Sequence, residues 1–169
     1  MEPVPLHVGQ VAGVPTAPVP WQVSQASNRV ICSFFTAPRT APDAAASRIE
    51  KALATGLGVS SRVTVFTAAE VDAAVAECPL LEVADDPARL LVAFLRDPAD
   101  RPKVEPLLKE DWAPEALAVG TRVAYLWCPE GTLAGRLAEA VGRALGDSVT
   151  TRNWATVRKL QALAEGRPS

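Results

Sequence analysis

The stretch RLLVAFL, Arg89–Leu95, decides the fold. It has one charge at its start and then an unbroken apolar run. A strand with one wet face alternates apolar and polar residues, whereas a strand covered on both faces does not. This stretch is therefore predicted to be a central strand of a sheet. Working outward, Asp97-Pro98 or Asp100 starts a helix reaching about Lys109, which Pro106 should bend. Glu115–Val119 and Arg122–Cys128 flank Gly120-Thr121, a two-residue hairpin signal. Leu133, Leu137, Val141 and Leu145 share one stripe of a helix from about Thr132 to Leu145. Ser148–Thr151 is a short strand, and a last helix runs from about Trp154 to Ala164. Residues 89–151 thus read β-α-β-β-α-β, the order of a ferredoxin-like unit.

Upstream, the pattern is partly the same. Arg29–Phe35 is rich in β-branched and aromatic residues and reads as a buried strand. Pro42–Thr55 carries Ala45, Ile49, Ala52 and Leu53 at helical spacing, with Gly56 and Gly58 to end it. Arg62–Phe66 is a strand, and Thr67 with Glu70 forms a capping box for a helix ending at Pro79. Residues 29–66 therefore read β-α-β, the second half of a ferredoxin-like unit. The first 28 residues contain Pro3, Pro5, Pro15, Pro18 and Pro20, a density that excludes a helix. Only Val4, Leu6 and Val8 alternate as a strand does, which allows a first strand over 4–11.

The expected class is α+β: two tandem ferredoxin-like (alpha-beta plait) subdomains, the first without its first helix. The expected organisation is a Pro-rich segment over 1–22, an incomplete first subdomain over 23–80 and a second over 81–165.

Composition narrows the function. Nearly half the chain is apolar and 21% is charged, as in folded globular proteins. No apolar run reaches the roughly 18 residues of a membrane span, and the N-terminus lacks the pattern of a secretory signal. The expected location is the cytoplasm. Net charge is −2, which argues against a general nucleic-acid binder. Cys32, Cys78 and Cys128 are far apart, and His7 is the single histidine. Neither a disulfide framework nor a zinc site is indicated, so no metal and no cofactor are expected. The signatures of P-loop, dinucleotide-binding, zinc-protease and serine-hydrolase sites are all missing.

The segment VAYLWCPEG (Val123–Gly131), followed by a helix and then TTRNWATVRKL (Thr150–Leu160), resembles the bacterial family known as domain of unknown function 1697. The likeness is strong over about 116–164 and moderate over 23–112. QASN, Gln25–Asn28, resembles the family's Gln-Ser-Gly-Asn turn between two strands. The resemblance implies tandem ferredoxin-like units. It implies no reaction, because the family has no established activity. The N-terminus departs from the family pattern: LHVGQVAGVP keeps Gly9 and Gly13, but has Val8 in place of an arginine and Val11 in place of an asparagine. The helix that follows in the family is replaced by Pro-rich sequence. The family's basic Gly-Arg-Ser-Lys appears as Leu133-Ala134-Gly135-Arg136, where only Arg136 keeps a charge.

Four groups of residues are candidates for chemistry. Thr150, Thr151, Arg152 and Asn153 precede a helix, whose free N–H groups and dipole suit a phosphate or carboxylate. Arg152 adds a guanidinium, and Arg136 is a second charge partner. The ordinary reading is a cap at Thr151 or Asn153 with Trp154 as core anchor; it leaves Arg152 unexplained. Cys128 is a candidate nucleophile, but a buried small hydrophobe is favoured, as for Cys32 and Cys78. Glu130, Asp147 and Asp85-Asp86 lack metal or acid–base spacing, and Asp85-Asp86-Pro87 reads as a turn. Tyr125 and Trp127 alternate on one strand as RNA-stacking aromatics do, but packing between two sheets explains them better.

The main expectation is therefore a non-enzymatic module that binds a small anionic ligand or a partner. The alternatives are an enzyme on a phosphorylated or nucleotide substrate, with Cys128 or a carboxylate reacting, and a nucleic-acid-binding protein. A homodimer would cover apolar surface uncovered by the missing helix.

Overall fold

Strand β4 (Leu90–Leu95) is buried at every residue. It runs inside a four-stranded antiparallel sheet in the computed structural model of the protein, which describes residues 19–26, 29–35, 40–131 and 135–166. The other strands are β5 (Ala116–Val119), β6 (Val123–Trp127) and β7 (Val149–Asn153), in the order β5-β6-β4-β7. The class is α+β, and residues 90–153 run β-α-β-β-α-β.

Both faces of this sheet are covered, which is why β4 has no polar alternation. Leu91, Ala93 and Leu95 point to one face with Ala124, Leu126 and Cys128. Helix α4 (Arg136–Leu145) packs Leu137, Val141 and Leu145 there, joined by Val104 and Trp112. Leu90, Val92 and Phe94 point to the other face with Tyr125 and Trp127. Two helices lie on that side, α2 (Ala68–Ala76) and α5 (Trp154–Ala164). The Tyr125 hydroxyl donates to the Ala74 carbonyl of α2 at 2.9 Å, and Gln161 of α5 donates to Asp72 of α2 at 3.0 Å. Each large apolar side chain buried here contributes roughly 1.5–3 kcal/mol over an exposed one.

Arg122 pins α2 to the end of the sheet. Its guanidinium pairs with Glu70 in the first turn of α2 and donates to the Arg96 carbonyl at 2.8 Å. The sequence pattern assigns residues up to 80 to the first subdomain. The compact units divide earlier, between Thr67 and Ala68, because Val71, Ala74 and Val75 of α2 are buried in the second unit.

The connections differ locally from the sequence expectation. The segment after β4 is a 3-10 turn (Pro98–Asp100), a single α turn α3 (Arg101–Val104) and a 3-10 turn (Glu105–Lys109). Pro98, Pro102 and Pro106 each remove a backbone donor, so no long α-helix forms. Asp97 caps its start by accepting from Ala99 N–H at 2.8 Å. In the β5–β6 hairpin Gly120 N–H donates to Val123 at 2.8 Å, so the loop is Thr121-Arg122, one residue later than the Gly-x signal. A Cβ on Gly120 would lie 3.0 Å from Val123 Cγ2 and 3.4 Å from the Tyr125 ring. Close packing is thus what selects glycine there.

The first unit holds a three-stranded antiparallel sheet of order β2-β1-β3, with β1 (Val19–Ala26), β2 (Arg29–Phe35) and β3 (Val63–Val65). Strand β1 begins at Val19, inside the Pro-rich stretch read as a separate segment ending at 22. Its register slips between Val19 and Gln22, around Pro20, which has no N–H to give a ladder. Helix α1 (Pro42–Leu57) buries Ala45 and Ala46 against Val63 and Val65. It runs through Gly56 and stops at Gly58, whose φ of 65° is the left-handed cap conformation. The strand expected over 4–11 lies outside the described residues.

Candidate functional site

Strand β7 is longer than its β propensity suggests, and this changes where the candidate residues sit. Arg152 and Asn153 are strand residues, opposite Val92 and Leu91 of β4. Ladder pairing with a fully buried neighbour outweighs the weak strand preference of both. Thr150 and Arg152 therefore share the face of Phe94 and Val92, and Thr151 points to the opposite face. Thr150 is buried and Thr151 exposed.

Backbone parity places the next feature. Arg96 N–H donates to the Ser148 carbonyl at 2.9 Å. Antiparallel ladders alternate, so Thr150 and Arg152 turn their backbone groups toward β4. Thr151 and Asn153 turn theirs to the other side, at the edge of this sheet. The Arg152 guanidinium bends back along that edge, and its Nη1 donates to the Thr151 carbonyl. Its Nε and Nη2 are buried and meet no acceptor among the described residues.

The start of α5 is already occupied. Asn153 Oδ1 accepts from Thr156 N–H at 2.9 Å, which makes Asn153 the cap. Ala155 N–H donates to the Pro87 carbonyl at 3.2 Å. Trp154 is 8% exposed and anchors the helix. Arg136 is elsewhere. It begins α4 on the opposite face of the sheet and lies over the Trp112 ring, 5.8 Å from its centre. The sequence grouping of Thr150, Thr151, Arg152, Asn153 and Arg136 thus separates: Arg152 and Thr150 on one face, Thr151 and Arg136 on the other, and Asn153 capping α5.

A second polar cluster lies at the start of α4. Glu115 Oε2 accepts from Arg136 N–H at 3.1 Å and Leu137 N–H at 3.2 Å. A carboxylate from outside the helix therefore satisfies its first N–H groups and its dipole. No periodicity or local motif could have shown this, because Glu115 lies 21 residues before Arg136. The same carboxylate neighbours Cys128. Burial first, and Glu115 second, push the Cys128 thiol up to about 12. Cys128 is buried and protonated at neutral pH, the opposite of an activated nucleophile. Burial also raises the Cys78 thiol.

Asp86, Tyr125 and Trp127 have local packing and turn roles, while Asp85, Glu130 and Asp147 are exposed. Asp86 Oδ1 accepts from Ala88 N–H at 2.8 Å and its carbonyl accepts from Arg89 at 3.0 Å, closing the expected turn. Tyr125 and Trp127 are buried, and the Tyr125 hydroxyl is engaged by helix α2. Helix packing covers Tyr125, not the sheet-on-sheet contact expected. Among the described residues no three His, Cys, Asp or Glu side chains come together as a metal site would require. No helix among them is long and apolar enough to cross a membrane.

One family model matches, described as protein of unknown function (DUF1697), over residues 26–125. The match ends on β6 at Tyr125, before the CPEG and TTRNW segments that carry the sequence resemblance. No curated protein and no solved structure matches.

Proposed function

The chain belongs to the DUF1697 family of proteins of unknown function, and from that premise we propose that it is a non-catalytic binding module for a small anionic group, gripped by Arg152. One observation carries this reading. Two guanidinium donors of Arg152, Nε and Nη2, are buried without an acceptor among the described residues, while Nη1 fixes the plane on Thr151. A buried donor left unpaired costs about 1–3 kcal/mol, and more when charged, so an anion arriving there is strongly favoured. Thr150, on the same face, is the neighbour that the ligand would meet. Arg136 does not take part, because the sheet stands between it and Arg152.

The buried, protonated Cys128 thiol supports a non-catalytic role, and the buried Tyr125 and Trp127 speak against base stacking. For the architecture we propose tandem ferredoxin-like units; the β5-β6-β4-β7 order supports this reading for the second unit.

The test is an NMR titration of the isotope-labelled full chain with small anions. Shifts centred on residues 150–153 that saturate, and that vanish in Arg152→Ala, are expected. Binding that survives Arg152→Ala, or no binding at all, overturns the proposal.

A further inference from the structure

Resting on that reading of Arg152, we infer that the group it takes is a carboxylate and not a phosphate. Three features of the site select between them. The first is the donor set. The guanidinium is held by Nη1 on the Thr151 carbonyl, which leaves the Nε–Nη2 side as the free edge. Those two N–H groups are parallel and coplanar, and match the two oxygens of one carboxylate in a bidentate pair.

The second feature is charge. A phosphate carries nearly two negative charges at neutral pH and is usually met by several cations or a nest of N–H groups. Here Arg136 is on the far side of the sheet, and Arg158 is exposed on α5 with its Nη1 on Gln161 at 2.8 Å. A single guanidinium balances a monoanion.

The third feature is the helix start beside it. The first turn of α5 would be the natural phosphate cradle, but Ala155 N–H is taken by Pro87 and Thr156 N–H by Asn153. What remains is the Nε–Nη2 side of the one guanidinium, held along the β7 edge by Nη1 on Thr151. A planar carboxylate fits this; a tetrahedral group with three oxygens to satisfy does not. The carboxylate could belong to a small acid or to the end of a peptide chain.

The experiment compares acetate, inorganic phosphate, a short acetylated peptide with a free C-terminal carboxylate and its amidated twin. Each is titrated by NMR into the wild type, Arg152→Gln, Arg152→Lys and the control Arg158→Gln, with circular dichroism verifying the fold. Acetate or the free-acid peptide should bind at least tenfold more tightly than phosphate, and the amidated peptide should not bind. Arg152→Gln and Arg152→Lys should each weaken binding at least tenfold, because lysine keeps the charge but not the paired donors, and Arg158→Gln should change nothing. Acetate alone binding assigns a small acid; the peptide binding more tightly assigns a chain terminus. Phosphate binding equally or better, still dependent on Arg152, overturns the carboxylate and leaves the anion site standing. No binding, or binding indifferent to Arg152, overturns both.

Discussion

The Tyr125 hydroxyl and the Ala74 carbonyl form a buried hydrogen bond of 2.9 Å between the sheet and helix α2. Two ordinary facts meet in it: a buried tyrosine needs a partner for its hydroxyl, and a helix carbonyl can accept a second bond. Tyr125→Phe keeps the ring and removes the donor. It should destabilise the fold by about 1–2 kcal/mol, read as a lower urea midpoint with an unchanged slope. An unchanged midpoint would show that α2 is held by its apolar face and by the Arg122–Glu70 and Gln161–Asp72 contacts.

Gly135 and Glu115 make a second dependence visible. A Cβ on residue 135 would collide with Glu115 Oε1, the carboxylate that accepts from the first N–H groups of α4. Gly135→Ala should therefore displace the Glu115 carboxylate and cost about 1–2 kcal/mol, part of it the ordinary preference for glycine over alanine at an N-cap. In Glu115→Ala the cap is already gone, so adding Gly135→Ala should cost little more. A double-mutant cycle measures this; fully additive losses would sink the explanation.

Arg152 and Asn153 are neighbours with separable roles. Asn153→Ala removes the α5 cap and should lower stability by about 1 kcal/mol while anion binding persists. Arg152→Gln should do the reverse, losing binding with stability unchanged or raised, since it relieves buried unpaired donors. Thermal unfolding alongside the NMR titration reads both. If Arg152→Gln is the more destabilising of the two, Arg152 is there to hold the edge of the sheet.

Much of this was legible in the sequence, and the reasons are specific. RLLVAFL announced a strand covered on both faces because burial leaves a compositional trace. The stripe of Leu137, Val141 and Leu145 gave α4 its inward face for the same reason. Asn153 was one of two capping candidates, since caps are local. What escaped was non-local. That Arg152 belongs to β7 depends on Val92, sixty residues earlier in the chain, holding it in register. Glu115 reads as the first residue of a strand until the fold brings it to α4. Arg122 falls in a hairpin loop, and nothing near it signals its pairing with Glu70, 52 residues away. The separation of Arg136 from Arg152 is likewise a property of which face each element takes, which periodicity within one element does not encode.

Cys128 gives the last prediction, on pH. Burial, with Glu115 adding to it, raises the thiol from 9.0 to about 12 in the folded chain. Between these values the unfolded chain gives up the proton and the folded chain keeps it. The stability from the neutral buried thiol is therefore complete below pH 9 and is lost as pH climbs toward 12. The slope it contributes is at most about 1.4 kcal/mol per pH unit. Tyr125 is raised by burial in the same direction, so the whole chain should weaken in alkali. The contribution of Cys128 is isolated by comparing urea midpoints of the wild type and Cys128→Ala from pH 8 to 10.5. The variant should start lower, through the lost packing, and fall less steeply above pH 9. Parallel curves would mean that the thiol titrates normally in the folded chain, and that both its burial and its contact with Glu115 are looser than the structure shows.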